Sequence, residues 1–342
     1  MRAMATVEQV LEITPIKDAD RIELAKIRGW NVVVQKGLYR PGSKVVYCEI
    51  DSLLPVDNPL FESFMERGTK TDDAGRVGHV VKTIRLRGQY SQGVVIPWEE
   101  VWNAGYCRGK DGMVGTDVSD DLGIVVWEPP VPVSMGGEIR GKMPGWVQKT
   151  DAERIQNLEY YLPLPVDSMY ATEKLDGTSA TFTVYEDDFH VCSRNLSLKE
   201  SDNVYWQIAK RYDIHARLIK ALQTQNVQCA TIQGEIFGNR INGNRLHVSD
   251  IHFRVFNVEL NRTFMPIYDP IPEFAEIPTV PCVAIDAPSD VMSTLAAVDG
   301  LKSQINADRF AEGVVWKRKD GGDICPGVRA VKSISNKYLL KE

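Results

Sequence analysis

Long apolar runs are missing from this chain. None approaches the ~20 residues that span a bilayer, so no membrane partner is expected. The N-terminal Met-Arg-Ala-Met-Ala-Thr-Val-Glu has no apolar signal core, so an intracellular, cytoplasmic location is expected. Cysteine is sparse and scattered: Cys48, Cys107, Cys192, Cys229, Cys282 and Cys325 form no Cys-x-x-Cys pair. That argues against a zinc site and against a dense disulfide framework, and leaves small buried residues in a reducing cytosol. Histidine is scarce as well. His79, His190, His215, His247 and His252 make no His-x-x-x-His pattern, so a dedicated transition-metal site is not expected. Internal repeats and low-complexity tracts are absent.

The remainder is ordinary for a globular chain, at 342 residues, 43% hydrophobic and 25% charged, which rules out wholesale disorder. This length suits two domains, or three. The net charge of −6 still allows a local basic face for nucleic acid.

Short β-branched runs fill the first ~100 residues: Thr6–Ile13, Ile22–Ile27, Trp30–Gln35, Lys44–Ile50, Gly78–Ile84 and Gly93–Pro97. Turn signals such as Pro41-Gly42 and Arg87-Gly88 separate them, with a short helix expected over Phe61–Arg67. This spacing suits a small closed barrel of OB type over 1–102. Residues 103–147 are rich in Gly, Pro and Asp, with Pro129-Pro130, Pro132 and Gly136-Gly137; a linker or irregular extension is expected. From 148 to 342 strands and helices come in runs. Strands are expected at Ala180–Tyr185, Phe189–Ser193, Cys229–Phe237, Phe253–Leu260, Gly313–Lys317 and Val328–Ile334. Helices are expected at Asn203–Arg211, Ile214–Thr224 and Val291–Ile305, the last broken near Gly300. The class is α+β with antiparallel sheets.

The strongest chemical signal is Glu173-Lys174-Leu175-Asp176-Gly177-Thr178, just before a strand. A lysine there can act as a covalent nucleophile if its ammonium loses its proton, and partial burial and nearby cations would push its pKa down. Asp176 is placed to hold a metal through water, and Gly177 lets backbone approach a ligand. Alone the motif is weak. Downstream, however, stand Ser193-Arg194-Asn195, Gly234-Glu235-Ile236-Phe237-Gly238, Phe253-Arg254-Val255-Phe256-Asn257, Glu312-Gly313-Val314-Val315-Trp316-Lys317 and Val331-Lys332-Ser333-Ile334.

This ordered series resembles the covalent nucleotidyltransferase superfamily of ATP-dependent ligases and mRNA capping enzymes, over roughly residues 148–342. Within it the chain is similar to the fifth family of RNA ligases, whose members carry an N-terminal OB domain. Lys149-Thr150-Asp151-Ala-Glu-Arg154 and the tail Ile334-Ser-Asn336-Lys337-Tyr-Leu-Leu-Lys341 look like that family, as do Ala19-Asp20-Arg21-Ile22-Glu23-Leu24 and Glu49-Ile50-Asp51-Ser52-Leu53-Leu54-Pro55 in the barrel. DNA ligases and capping enzymes carry their OB domain after the last motif. The few residues after Lys332 leave no room for one, which favours an RNA ligase over a capping guanylyltransferase or a non-catalytic RNA-binding protein.

The resemblance implies roles position by position. Lys174 attacks the α-phosphate of ATP to form lysyl-AMP, and Lys317 and Lys332 neutralise phosphate charge. Glu173, Arg194, Glu235, Phe256 and Arg154 contact the nucleotide: Arg194 and Glu235 at the ribose, Phe256 stacked on adenine, Arg154 at a phosphate. Asp176, Glu312 and Glu259 serve the metal, Mg²⁺ or Mn²⁺. Asn257 stands where the family often has an acid, and Lys332-Ser333-Ile334 stands where it often has Lys-x-Lys, so another group must supply the second charge. Lys82, Arg85 and Arg87, with Tyr90 close by, form a basic stretch suited to phosphates and bases. A monomeric enzyme acting on nicked duplex RNA or an RNA/DNA hybrid is expected, sealing a 5′-phosphate to an RNA 3′-hydroxyl.

Overall fold

The strands Ile22–Ile27 and Trp30–Gln35 bury alternate residues, as a sheet with one face on a core requires. They pair antiparallel, Ile27 opposite Trp30, through the two-residue turn Arg28-Gly29. In the computed structural model, which describes residues 3–130, 137–268 and 270–340, such hairpins belong to the first of two compact units. One unit is Met1–Pro132 with Leu339–Glu342, the other Val133–Tyr338. Among the described residues no helix is long and apolar enough to cross a membrane.

In the first unit, Ala5–Gln9, Lys44–Cys48 and Val94–Pro97 form one sheet; Glu12–Pro15, Ile22–Ile27 and Trp30–Gln35 form a second. Val125–Val126, Ser52–Pro55, Val77–Val80 and Lys70–Thr71 form a third. One core serves them all, with Val7, Ile27, Trp30, Tyr47, Leu54 and Phe61 buried in it. Two expected strands are each broken in two, because a barrel strand changes partner at a corner. Thr6–Ile13 divides at Val10-Leu11, where the hydrogen bonds pass from Ser43 to Lys26. Gly78–Ile84 divides at Val81-Lys82, and Thr83–Leu86 then pairs with Gln89–Gln92 instead. The helix expected over Phe61–Arg67 is one α-helical turn, Glu62–Met65, after a 3₁₀ turn at Pro59–Phe61.

The stretch expected as a linker differs most. Its residues 103–130 are built into the first unit: Val118, Leu122 and Ile124 are core residues, and the Ser119 hydroxyl accepts from the backbone N–H of Met4 (2.9 Å) and Ala5 (3.0 Å). Ile139–Lys142, later in the same stretch, pairs with Leu196–Leu198 of the second unit. The compact units therefore divide near 132, not at 102 and 147. Pro132 and Gly136, like Lys341 of the tail, lie outside the described residues.

The second unit is built on two sheets. The larger has the order Ile139–Lys142, Leu196–Leu198, Asp188–Cys192, Thr178–Tyr185, Cys229–Gly238, Ile251–Leu260 and Thr263–Met265, all antiparallel. Helices Val204–Arg211 and Ile214–Thr224 cover one of its faces. The first starts at Asn203, whose side chain accepts from the Trp206 N–H (3.0 Å), a normal N-cap. The second buries Ile214, Leu218 and Ala221, one stripe at the helical period. Phe182, Ile232 and Phe253 of the sheet meet them in one core. The smaller sheet runs Glu153–Arg154, Ala330–Ile334, Gly313–Arg318, Met169–Lys174, with only the first pair parallel. The helix expected over Val291–Ile305 stops at Asp299, with Gly300 as its C-cap.

Candidate active site

Lys174 ends a strand of the smaller sheet, and Thr178 opens a strand of the larger one. The turn between them therefore crosses from sheet to sheet. Gly177 is required there: a Cβ would lie 2.2 Å from the Ile236 carbonyl oxygen. Strand pairing sets Lys174 opposite Gly313, which places Glu312 beside it. The Lys174 Nζ donates to Glu312 Oε1 at 2.7 Å.

A cavity of about 200 Å³ opens beside this pair, lined by Lys174, Glu235, Arg194, Phe256, Lys317 and Lys332 together with Glu173, Thr172, Val280 and Val315. Residues from six separate sequence motifs thus converge on one volume. Lys332 faces Val315 across the ladder, and Lys317 faces Ala330. The small Ala330 side chain stands in the cavity wall beside that lysine.

Charge in the cavity is mixed, and this corrects the expectation for the nucleophile. Burial alone lowers the pKa of Lys174, but the carboxylates of Glu312, Glu235 and Asp176 outweigh it and hold the pKa above the usual lysine value. Carboxylates, not cations, decide the direction of its shift. Burial, reinforced by Glu312 and Asp176 against Lys174 and Arg194, pushes Glu235 up to about 8. Lys317 moves oppositely, and burial brings it down to about 8. Its Nζ donates to the Phe256 carbonyl (2.6 Å) and lies 5.7 Å from the Phe256 ring centroid, so it is no solvated surface lysine.

Other expected residues stand at the edge of this cluster or outside it. Arg154 is buried, at register with Lys332 on the edge strand, but does not line the cavity. Glu173 lines it, yet its Oε2 accepts from the Gln304 N–H (2.7 Å); burial raises its pKa against bonds from Ser303 and Gln304. Glu259 is buried on the strand beyond Asn257 and is pushed up to about 7 by burial; it lines neither this cavity nor its neighbour. Asn257 joins an amide network instead, donating to Gln233 Oε1 (2.8 Å) while Gln233 donates to the Gln148 carbonyl (2.9 Å). Arg194 is exposed and pairs with Asp151 (3.0 Å). Lys82, Arg85 and Arg87 belong to the first unit and are exposed in and beside the hairpin Thr83–Gln92. The Arg85 guanidinium lies 5.5 Å over the Tyr90 ring.

Two contacts have no clear sequence signal. Asn242 donates to the Gly177 carbonyl, and Arg245 lies over the Tyr338 ring and donates to the Tyr338 carbonyl (3.1 Å). The tail around Tyr338 is legible as a family string, but its contact with Arg245 is not. Among the described residues no three His, Cys, Asp or Glu side chains group as a ready ligand set for a metal.

Comparison with known proteins gives two family matches: an OB-fold domain over residues 4–98 and an RNA ligase domain over residues 167–334. No curated protein matches. Among solved structures, an apo mutant of Naegleria gruberi RNA ligase is similar over the whole chain, with 32% identity, a TM-score of 0.85 and coverage of 100% of this chain and 98% of that one. The same enzyme with pyrophosphate gives 32% identity and a TM-score of 0.83, over 100% and 99% of the two chains. A mutant of it with ATP and Mn gives 32% and 0.84, over 99% of each.

Proposed function

The chain belongs to the family of ATP-dependent RNA ligases that join an OB-fold domain to a nucleotidyltransferase domain, and from that premise we propose that it seals 3′-hydroxyl/5′-phosphate nicks through a lysyl-AMP adduct on Lys174. It is an RNA ligase that uses ATP and a divalent metal. The observation that carries the finer reading is the Lys174–Glu312 pair at one side of a cavity that also holds Glu235, Phe256, Lys317 and Lys332.

In the first step the Lys174 amine forms a P–N bond to the α-phosphorus of ATP, the bond to the bridging oxygen breaks, and pyrophosphate leaves. Lys332 and Lys317 offset charge on the phosphates. Nucleotidyl transfer depends more on such placed charge than on acid–base chemistry. Phe256 offers a ring face for adenine, and Glu235 an acceptor for a ribose hydroxyl. In the second step a 5′-phosphate oxygen displaces the lysine, leaving AMP on the polynucleotide end. In the third the 3′-hydroxyl attacks that 5′-phosphorus and AMP departs.

The proton on Lys174 must leave before it attacks, and the facing carboxylates oppose that. The residues present fit a hydrated divalent ion: Glu312 carries a second buried carboxylate oxygen, Oε2, with no hydrogen-bond partner among the described residues, and Asp176 and Glu235 lie close enough to couple to Lys174. Glu312 and Asp176 would hold such an ion, Mg²⁺ or Mn²⁺, and it would supply positive charge that offsets the carboxylates facing the amine. Glu259 has no place in this arrangement. The barrel, through Lys82, Arg85 and Arg87, tracks the phosphates of a nicked RNA duplex or RNA/DNA hybrid, and the protein acts as a monomer.

Incubation with labelled ATP or GTP and magnesium or manganese tests the first step. Covalent label from ATP alone is expected; label from GTP alone would mark a capping enzyme. Sealing assays across RNA and DNA strand combinations then test the nick. Faster sealing when the 3′-hydroxyl strand ends in RNA is the expected result, and equal rates with an all-DNA nick would overturn that preference.

A further inference from the structure

Alternate residues of the smaller sheet share one face, in rows set by the ladders. Lys174 stands opposite Gly313, Thr172 opposite Val315, and Tyr170 opposite Lys317; Lys332 and Ala330 extend the last two rows. Such rows lie about 7 Å apart along the strands. With the α-phosphate of ATP at Lys174 and the base on the Phe256 ring, the nucleotide runs along this direction and its base covers the row of Val315. Lys317 marks the far end of that seat, where its Nζ donates to the Phe256 carbonyl (2.6 Å). Past it the space continues. A second cavity of about 310 Å³ shares Thr150, Asp151, Lys317 and Ala330 with the first.

One flank of the seat is closed by backbone. Residues 278–281 bridge the two sheets: Val255 N–H donates to the Pro278 carbonyl (2.8 Å), Val280 N–H to the Val255 carbonyl (2.9 Å) and Glu173 N–H to the Pro281 carbonyl (2.9 Å). Val280 lines the first cavity and not the second. On the edge remote from its sugar, adenine carries an amino group at C6, a bare N1, and a C2 that bears only hydrogen. The amino group is a donor and suits the backbone flank, where carbonyls accept. That turns C2 toward the second cavity. Tyr170, Phe264, Met265 and Pro266 give this cavity an apolar lining. Its cations have partners: Lys149 donates to Asn195 Oδ1 (2.9 Å), Arg318 to Asp320 Oδ1 (2.9 Å) and Arg329 to Asp323 Oδ1 (3.1 Å). An uncharged group therefore fits it better than a further phosphate.

We propose that the second cavity extends the nucleotide site and takes an uncharged alkyl or aryl group on C2 of adenine, so that the chain uses 2-substituted ATP as a nucleotidyl donor. The inference rests on the reading of Lys174 as the nucleophile and of Phe256 as the seat of the base. The step itself is unchanged: the P–N bond forms at Lys174 and pyrophosphate leaves. Room at C2 does not admit guanine, whose C6 oxygen and N1–H reverse the donor and acceptor pattern of adenine.

The test gives the full chain manganese with ATP, with ATP carrying a hexylthio chain at C2, or with ATP carrying a hexyl chain on the C6 amine. Intact mass spectrometry identifies each adduct by the mass of the nucleotide it holds. The 2-hexylthio adduct is expected at a rate within about tenfold of that from ATP, and the N6-hexyl adduct at least about a hundredfold more slowly, as for a seat with room on one side only. Phe264→Trp narrows the second cavity alone. It should leave the rate with ATP within about twofold and slow the 2-hexylthio donor by about tenfold or more. Tyr170→Trp narrows the same cavity from the other sheet and takes its place if the first variant forms no adduct with ATP. Rejection of the 2-hexylthio donor, or equal use of both bulky donors, overturns the inference while Lys174 stands. So does a narrowed variant that slows ATP and the 2-hexylthio donor alike, or slows neither. If the unsubstituted chain forms no adduct with ATP, the reading of Lys174 itself fails.

Discussion

Two lysines of one cavity show how context sets a residue's chemistry. Lys174 ends among carboxylates that hold its pKa up, whereas Lys317 is half-buried with no acidic partner among the described residues, and its pKa comes down to about 8. Lys174→Ala should abolish the covalent adduct and still seal a pre-adenylated nick, since that step needs no lysine; gel labelling with ATP and a sealing assay check both halves. Lys317→Met should do something less obvious, slowing adenylation while raising stability. The native pKa lies below the 10.5 of a free lysine, so the charged form is penalised by folding. Between pH 8 and 10.5 the unfolded chain binds more protons than the native one, and this lysine makes stability rise with pH across that window. The variant should lose that rise and gain roughly 1–2 kcal/mol at pH 7. Denaturant unfolding of both proteins at pH 7 and pH 10 measures it, and a variant less stable at pH 7 would contradict the account.

At the scale of elements, the site depends on two close backbone approaches. A Cβ at Gly313 would lie 2.2 Å from the Ser333 carbonyl oxygen, and Gly313 faces both Lys174 and Ile334 in the ladder. Gly313→Ala should therefore push apart the strands that carry Glu312 and Lys332. A cost of about 1–3 kcal/mol is expected, as for an overpacked core, together with loss of adenylation; thermal unfolding and ATP labelling report the two. The elements were legible wherever a single face was buried. Ile22–Ile27, Trp30–Gln35 and Ile214–Thr224 stand where the pattern put them. The pattern failed at Val10-Leu11 and Val81-Lys82, because a strand that rounds a barrel corner continues its apolar alternation while exchanging partners. It failed again at Val118, Leu122 and Ile124, whose burial comes from strands far away in sequence.

For the molecule as a whole, the division of labour between its units is open to test. All six catalytic strings lie in the second unit, so a fragment beginning near 137 should keep part of the ATP labelling and lose most nick sealing. A start near 145 should do worse, because it removes the strand Ile139–Lys142 from the edge of the large sheet; circular dichroism establishes folding first. A well-folded fragment that seals as fast as the full chain would refute a nucleic-acid-binding role for the barrel. In the full chain, Arg85→Glu with Arg87→Glu should weaken binding to a nicked duplex. It should also flatten the salt dependence, by roughly 0.9 in log–log slope for each phosphate no longer neutralised.

The chemistry itself was written in the order of short strings. Glu173–Thr178, Glu235, Phe256, Glu312 and Lys332 are identifiable because the family's motifs resemble those strings and each occupies a strand or turn with its own local signature. The order carries the resemblance to the ligase family, and ATP and metal are what that resemblance implies. Whether each group reaches the nucleotide is a property of strand register and of which face a side chain takes. Register brought Lys317 beside Ala330, left Arg154 and Glu259 outside the cavity, and surrounded Lys174 with acids where cations were expected. The Asn242 contact with the Gly177 carbonyl became visible only in three dimensions, because it joins residues remote in sequence and carries no periodicity along the chain.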